Sequence, residues 1–390
     1  MVEKKLRIIQ IVHAFPPTPG GIETHAYKLS LELARLGAQV VVHTSAQAGS
    51  QEVDAELKRA GVEVKRHFSI RFPFFSSLVW MPGLPLFVAF EKGDAVCSHG
   101  FGAITPLCAA IGAVASGKRF YWTIHGMPRF RGPARLLVGA YRTLIAPLIA
   151  LSAKKIICVS QTLADEMTET LGADAAKKIV VIPNGVGEEF LAENGAADKS
   201  EKAHKHFTVL FVGRLDRSKG VFSLLDAFGK FYASHKDSAL RFVGPDEGQR
   251  AGLERMAKKK GLPVEFQTVP RERMPEAYAS ASVCVLPSEY EGFGLAVLES
   301  WACGTPAIST HVGAAPQFFK EAFGEEVAGL FMFDGQEGML AGLERMYSSK
   351  GELKRRWAGE ARKALANYSW KEAAEKTREM MEGDEGRQTD

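Results

Sequence analysis

The sequence predicts two doubly wound α/β domains of Rossmann type, facing each other across a cleft. Three observations predict it. The chain opens with a buried-type strand, an amphipathic helix and a second strand. A second strand–helix series starts after a polar stretch near its middle. At 390 residues the chain is long enough for two cores of ordinary size.

The opening strand, Leu6–Val12, is rich in isoleucine and valine, as a strand buried on both faces requires. After a Pro/Gly loop, Ile22–Leu36 carries apolar residues at helical spacing and stops at Gly37. Gln39–His43 follows as a second strand, and a βαβ opening implies a parallel sheet with a right-handed crossover. Short strands are expected near Val62–Val64, Ala95–Cys97, Phe120–Thr123, Ile156–Val159 and Ile179–Ile182. From Glu188 to His206 the chain turns polar, small and charged, which reads as a linker. Phe207–Val212 opens the second series, with strands near Leu240–Val243, Val264–Phe266, Val283–Leu286 and Ala307–Ser309. The expected domains are 1–190, with 368–385 packing back on it, and 205–367.

Composition excludes several classes. Hydrophobic residues at 46% and charged residues at 24% belong to a globular protein, and 9% aromatics argue against disorder. The formal charge of +4 suits anionic ligands or an anionic membrane, but no concentrated Lys/Arg stripe suggests nucleic acid. The five cysteines are scattered without a Cys-x-x-Cys pair, the usage of a reduced, cytoplasmic protein. The basic start and short apolar run lack a signal-peptide cleavage site and read as a first strand.

Three loops at strand ends are candidates for chemistry. Pro19–Glu23 holds Gly20 and Gly21 ahead of a helix. There backbone can approach a ligand and free N–H groups can meet an anion, although an ordinary turn would look the same. Gly213–Gly220 contains Arg214 and Lys219, a planar fork and a point charge suited to a diphosphate, or a solvated charged turn. The third, Pro287–Glu299, places Glu291 in a glycine loop and Glu299 just over one turn into the next helix. Gly294 and Leu295 stand at that helix's start. Val297 occupies the third glycine position of the dinucleotide fingerprint, which counts against an NAD-dependent oxidoreductase. Among the histidines, His13 and His99 read as packed polar residues. His125, beside Gly126 after a strand, is the better functional candidate.

With these pieces in order, the chain resembles the retaining group 1 glycosyltransferases, glycosyltransferase family 4. The resemblance runs nearly end to end. It rests on Gly20-Gly21, Thr-x-His-Gly at 123–126, Val159-Ser160, Ile-Pro-Asn-Gly-Val at 182–186 and Gly213-Arg-Leu-Asp…Lys219-Gly. Tyr368-Ser369-Trp370 and the Glu-x7-Glu pair Glu291 and Glu299 complete it. It implies a GT-B fold, with a C-terminal helix crossing back to the N-terminal domain, and a nucleoside-diphosphate sugar, UDP- or GDP-linked, as donor. Glu299 would bind the ribose and Glu291 the donor sugar. Arg214, Lys219 and the amides of Gly294 and Leu295 would hold the diphosphate. Gly20 and Gly21 would approach the phosphates, and His125 would face sugar and acceptor. No Asp-x-Asp occurs, so neither a metal nor another cofactor is expected. Thr268 stands where the family often has glycine, which leaves the base open. A sugar-nucleotide epimerase or phosphorylase shares the fold and stays as the alternative.

The acceptor, whether glycan, lipid-linked or small molecule, would be chosen by the first domain. Phe68–Phe90 is crowded with aromatics and prolines, and Arg129–Lys155 mixes arginines with leucines at helical spacing. One reading is a membrane-facing surface, making the protein peripheral at the inner face of the membrane. The favoured one is a core helix with a basic exposed side, because Pro147 should break a long interfacial helix.

Overall fold

The computed structural model describes residues 5–72, 75–102, 104–128, 134–192, 206–349 and 352–384. The chain forms two units, Met1–Gly185 with Trp370–Asp390, and Val186–Ser369.

The first unit is built on a seven-stranded parallel sheet. Its strands are β1 (Arg7–Ile11), β2 (Gln39–Ser45), β3 (Val62–His67), β6 (Ala95–His99), β7 (Arg119–Ile124), β8 (Lys155–Cys158) and β9 (Ile179–Val181). Their order is β3-β2-β1-β6-β7-β8-β9, so the winding reverses between β1 and β6. Right-handed crossovers then put helices on both faces. Helix Gly21–Arg35 packs against the C-terminal helix Trp370–Gly383, while helix Ile104–Ala115 packs on β6 and β7. Central strands are buried throughout, which is why their sequences run apolar rather than alternate. The aromatic stretch contains a two-stranded hairpin of β4 (Ile70–Phe72) and β5 (Phe75–Trp80), which was not expected from the sequence.

The second unit has a five-stranded parallel sheet of β10 (Phe207–Val212), β11 (Ser238–Val243), β12 (Val264–Gln267), β13 (Val283–Leu286) and β14 (Ala307–Ser309). The order β12-β11-β10-β13-β14 reverses between β10 and β13. Part of the predicted linker belongs to this unit. Glu188–Ala192 is a helix whose Phe190 is fully buried, its ring centroid 6.0 Å from that of Tyr278. The rest, 193–205, lies outside the described residues, as do Arg129 and Arg131.

Two expectations for the arginine–leucine segment need correction. Pro147 does not break the helix: Ala134–Ala140, a π-turn at Tyr141–Ile145 and Ala146–Ser152 follow one another directly. A proline lacks an N–H and crowds the preceding turn, and the wider π pattern just ahead of it absorbs both defects. Nor are its leucines core. Leu144, Leu148 and Leu151 are 65%, 57% and 80% exposed, while Ala146, Ile149 and Ala150 form the buried side. Periodicity fixed the spacing of the apolar stripe, not which way it faces.

Candidate active site: a cation–carboxylate cluster and a histidine cluster

In the second unit the loops after β10 and β13 flank the reversal point of the sheet, where α/β proteins bind ligands. The first loop is tightly folded. Asp216 caps the 3-10 turn Arg217–Lys219 by accepting from the Ser218 N–H at 2.8 Å, and the Ser218 hydroxyl donates to the same oxygen. Burial pushes the Asp216 carboxyl up. The two Ser218 bonds and the Arg214 and Lys219 charges outweigh it and hold the group below its usual range. Gly220 closes the turn at φ 68°. A Cβ there would sit 2.0 Å from the Pro287 carbonyl oxygen, so glycine is what lets the two loops touch. The Glu289 N–H donates to the Ser218 carbonyl at 2.8 Å across the same seam.

That seam brings Lys219 to Glu291. Lys219 Nζ donates to Glu291 Oε1 at 2.7 Å, and the buried Ser288 hydroxyl donates to the same oxygen at 2.7 Å. Among the described residues Glu291 Oε2 has no partner, and both its lone pairs are available to a ligand. Arg214 is not part of this cluster. Its guanidinium is half exposed and lies 3.8 Å from Glu247. Gly294 takes the left-handed conformation, φ 97°, and Leu295 opens helix Leu295–Ala302.

Glu299 is buried on that helix. Its Oε2 accepts from the Tyr278 hydroxyl at 2.8 Å and its Oε1 from Arg271 at 3.4 Å. Burial raises its carboxyl above the usual range, opposed by the Arg271 charge and the Tyr278 hydrogen bond. The carboxylate that the sequence offered to a ribose is thus already held by two donors, though four lone pairs leave room for hydroxyls. Arg271, Tyr278 and Ser288 went unnoticed in the sequence, because an Arg-Glu-Arg turn or a lone serine carries no spacing signal. Thr268 lines a shallow groove of about 520 Å³ with Arg241, Val269, Pro270 and Arg273.

In the first unit, histidines gather where the strands end, again beside the reversal point. His99 closes β6 and His125 follows β7. His25 comes from helix Gly21–Arg35. His99 Nε2–H donates to Gln10 Oε1 at 2.6 Å, leaving Nδ1 to accept from His125 Nε2–H at 3.1 Å, the tautomers being assigned from this network. His25 Nδ1–H donates to Asn184 Oδ1 at 2.7 Å; its buried Nε2 has no partner among the described residues. The His25 ring also stands edge-on to His125 at 4.4 Å and to Trp370 at 5.5 Å. Burial drives all three well down, His25 to about 4, so the rings are neutral near pH 7. One nitrogen from each lies within 4.8 Å of the others, a spacing that admits a metal ion. His13 is not one of the trio and lies 4.0 Å from Glu23, but its charge bears on both His99 and His125. Gly20 precedes helix Gly21–Arg35; a Cβ on Gly20 would meet the Glu23 carboxylate, whereas Gly21 has open space. His25 and Gln10 were missed and Asn184 was noted only as part of the 182–186 motif, although a glutamine inside an apolar strand is a signal that could have found Gln10.

Comparison with known proteins bears on these clusters. Residues 19–190 match the model of Glycosyltransferase Family 4, and 194–364 match Glycosyl transferases group 1. The chain belongs to glycosyltransferase family 4. Among relatives, it is 29% identical over 315 residues to the phosphatidylinositol N-acetylglucosaminyltransferase gpi3 subunit of Schizosaccharomyces pombe. That match covers 78% of this chain and 65% of the relative, just under two thirds of its length. The Arabidopsis thaliana protein of the same transferase name is 26% identical, over 96% of this chain and 81% of the relative. A D-inositol 3-phosphate glycosyltransferase from Acidothermus cellulolyticus is 28% identical over 53% and 51% of the two chains. The fold is GT-B, shared with sucrose-phosphate synthase from Thermosynechococcus elongatus (TM-score 0.78, 20% identity, 98% and 100% coverage). It is shared as well with Anabaena HepE bound to UDP and glucose (TM-score 0.76, 16% identity, 97% and 100% coverage). Membership of this family makes the protein a glycosyltransferase. Family motifs of this glycosyltransferase fall on the two clusters: Asn184 and Trp370 meet His25, and the Glu-x7-Glu pair carries Glu291 and Glu299.

Proposed function

We propose that the protein transfers a hexose, with retention of configuration and without a metal, from a UDP- or GDP-linked donor to an inositol-bearing acceptor. The observation that carries the donor half is the Lys219–Glu291–Ser288 cluster at the reversal point of the second sheet. Departure of the nucleotide leaves negative charge on the β-phosphate and positive charge on the sugar ring. Lys219 and Arg214, with the helix start at Gly294 and Leu295, stabilise the first electrostatically. Glu291 orients the Lys219 ammonium and presents its second oxygen to a sugar hydroxyl. Glu299 takes the ribose hydroxyls, steadied by Tyr278. On the acceptor side, neutral His125 and the unpaired Nε2 of His25 accept hydrogen bonds from hydroxyl groups. No enzymatic nucleophile is assigned.

The acceptor half rests on relatives: two kinds of related transferase, one from a fungus and a plant and one from a bacterium, carry inositol in their names. The experiment is turnover of UDP- and GDP-linked hexoses and N-acetylhexosamines, with a chelator present, against inositol phosphate and phosphatidylinositol. The anomeric configuration of the product is read by NMR. Turnover that requires added metal, or an inverted product, overturns the mechanism. Transfer only to acceptors lacking inositol overturns the acceptor. Donor epimerised without any acceptor would favour the epimerase alternative.

A further inference from the structure

Exposed apolar surface is distributed very unevenly over the two units. Of the sixteen large hydrophobic side chains exposed among the described residues, fourteen lie between Phe68 and Leu151 in the first unit. Chance exposure would scatter them. Three helices that pack side by side carry the core of this patch. Leu86 and Phe90 stand on Leu84–Phe90, Ile111 and Val114 on Ile104–Ala115, and Leu148 and Leu151 on Ala146–Ser152. Helix Arg135–Ser152 is apolar enough to enter a membrane by length and composition. Its buried side, Ala146, Ile149 and Ala150, and the Arg142 bond to the Thr170 hydroxyl (2.8 Å) fix it along the unit's surface instead.

The charge around this patch is mainly basic, although Glu91 directly follows Phe90 and Asp94 lies within the same span. From Ala95 to Ala164 the sequence has eight Lys or Arg residues and no Asp or Glu. Lysines also close the ends of two of the patch helices: Lys118 Nζ donates to the Val88 and Ala89 carbonyls, and Lys178 Nζ to those of Ala150 and Leu151. Together with Lys154 and Leu151 they border a groove of about 400 Å³ whose lining contains no acidic residue. An apolar face with a basic rim is complementary to a lipid surface, which offers acyl chains below anionic headgroups. A protein partner would need an acidic border to match.

We propose that this face docks the first unit onto a membrane carrying anionic phospholipids, its leucines entering the acyl boundary and its lysine groove receiving headgroup phosphates. The surface is separate from the histidine cluster. The groove lies where β7 and β8 begin, whereas His99 and His125 stand where β6 and β7 end. Docking therefore does not depend on which sugar or acceptor the enzyme uses.

The test is flotation of the full chain with phosphatidylcholine vesicles, with and without phosphatidylserine. Binding is expected to rise about tenfold or more with the anionic lipid and to fall with added salt. Leu148→Glu/Leu151→Glu should lower it by about tenfold or more, and Lys154→Glu by a smaller factor. Both leucines are exposed, so the melting temperature should hold; if that variant unfolds, Leu137→Ser/Leu144→Ser replaces it. No vesicle binding, or binding indifferent to these variants, overturns the proposal. A dimer in sedimentation velocity that the double variant dissolves, without vesicle binding, would assign the face to a second copy of the chain and also overturn it.

Discussion

At Lys219 a single hydrogen bond joins two residues to which the sequence assigned separate tasks. In the proposed donor site the ammonium is already held by Glu291, so little side-chain entropy would remain to be lost on binding a diphosphate. Lys219→Ala is expected to lower kcat by roughly a hundredfold or more while leaving the melting temperature nearly unchanged, because the proposed mechanism has this residue act on developing charge. Steady-state kinetics beside a thermal melt separates the two. Glu299→Ala and Arg214→Ala should abolish turnover as well; unchanged rates in both would remove the site assignment. Tyr278→Phe differs, because it strips a donor from a buried carboxylate. It is expected to destabilise the protein by about 1–3 kcal/mol and to raise KM for the donor. A variant of wild-type stability and KM would show that the bond does not position Glu299.

At the scale of elements, the turn from β10 into helix Val221–Ser234 depends on the conformation of Gly220 and on its contact with the Pro287 carbonyl. Gly220→Ala combines a left-handed alanine with a backbone clash. It should destabilise the second unit by roughly 2 kcal/mol or more, read from denaturant unfolding. Gly248→Ala is the control, because its φ of 85° has the same handedness but its Cβ would meet nothing within 4 Å. Equal losses in both would place the whole cost in φ and none in loop contact. The helix Ala134–Ser152 teaches a second lesson at this scale. Its apolar spacing was legible, but a stripe at period 3.6 reads alike whether it meets a core or a lipid surface.

For the whole molecule, the histidines of the first unit set an acid limit. Burial lowers His13, His25 and His43 to about 4 from an unfolded value near 6.5. Between these values the unfolded chain binds protons that the folded chain refuses, so stability rises with pH across that window. Their contribution is complete above about pH 6.5 and is lost as pH falls toward 4, at up to about 1.4 kcal/mol per pH unit for each ring. Melting temperature against pH should decline through this range. A flat profile from pH 7 to 4.5 would show that these rings are not buried neutral in solution.

The strand–helix order, the division into two units and the loops proposed for chemistry were all legible in the amino-acid sequence. These depend on local signals: apolar strands buried on both faces, glycines after strand ends, and the Glu-x7-Glu spacing that puts one acid in a loop and one on a helix. Of the proposed donor cluster the sequence supplied Lys219, Glu291 and Glu299, and of the histidine cluster only His125, since His99 read as a packed polar residue. Which residues meet was a tertiary decision. Gln10 reaches His99 across 89 residues, His25 reaches Asn184 across 159, and Tyr278 and Arg271 enclose Glu299 from two other elements. A hydrogen bond between distant residues leaves no period in the sequence, and the outward turn of the leucine stripe is fixed only by what packs behind it.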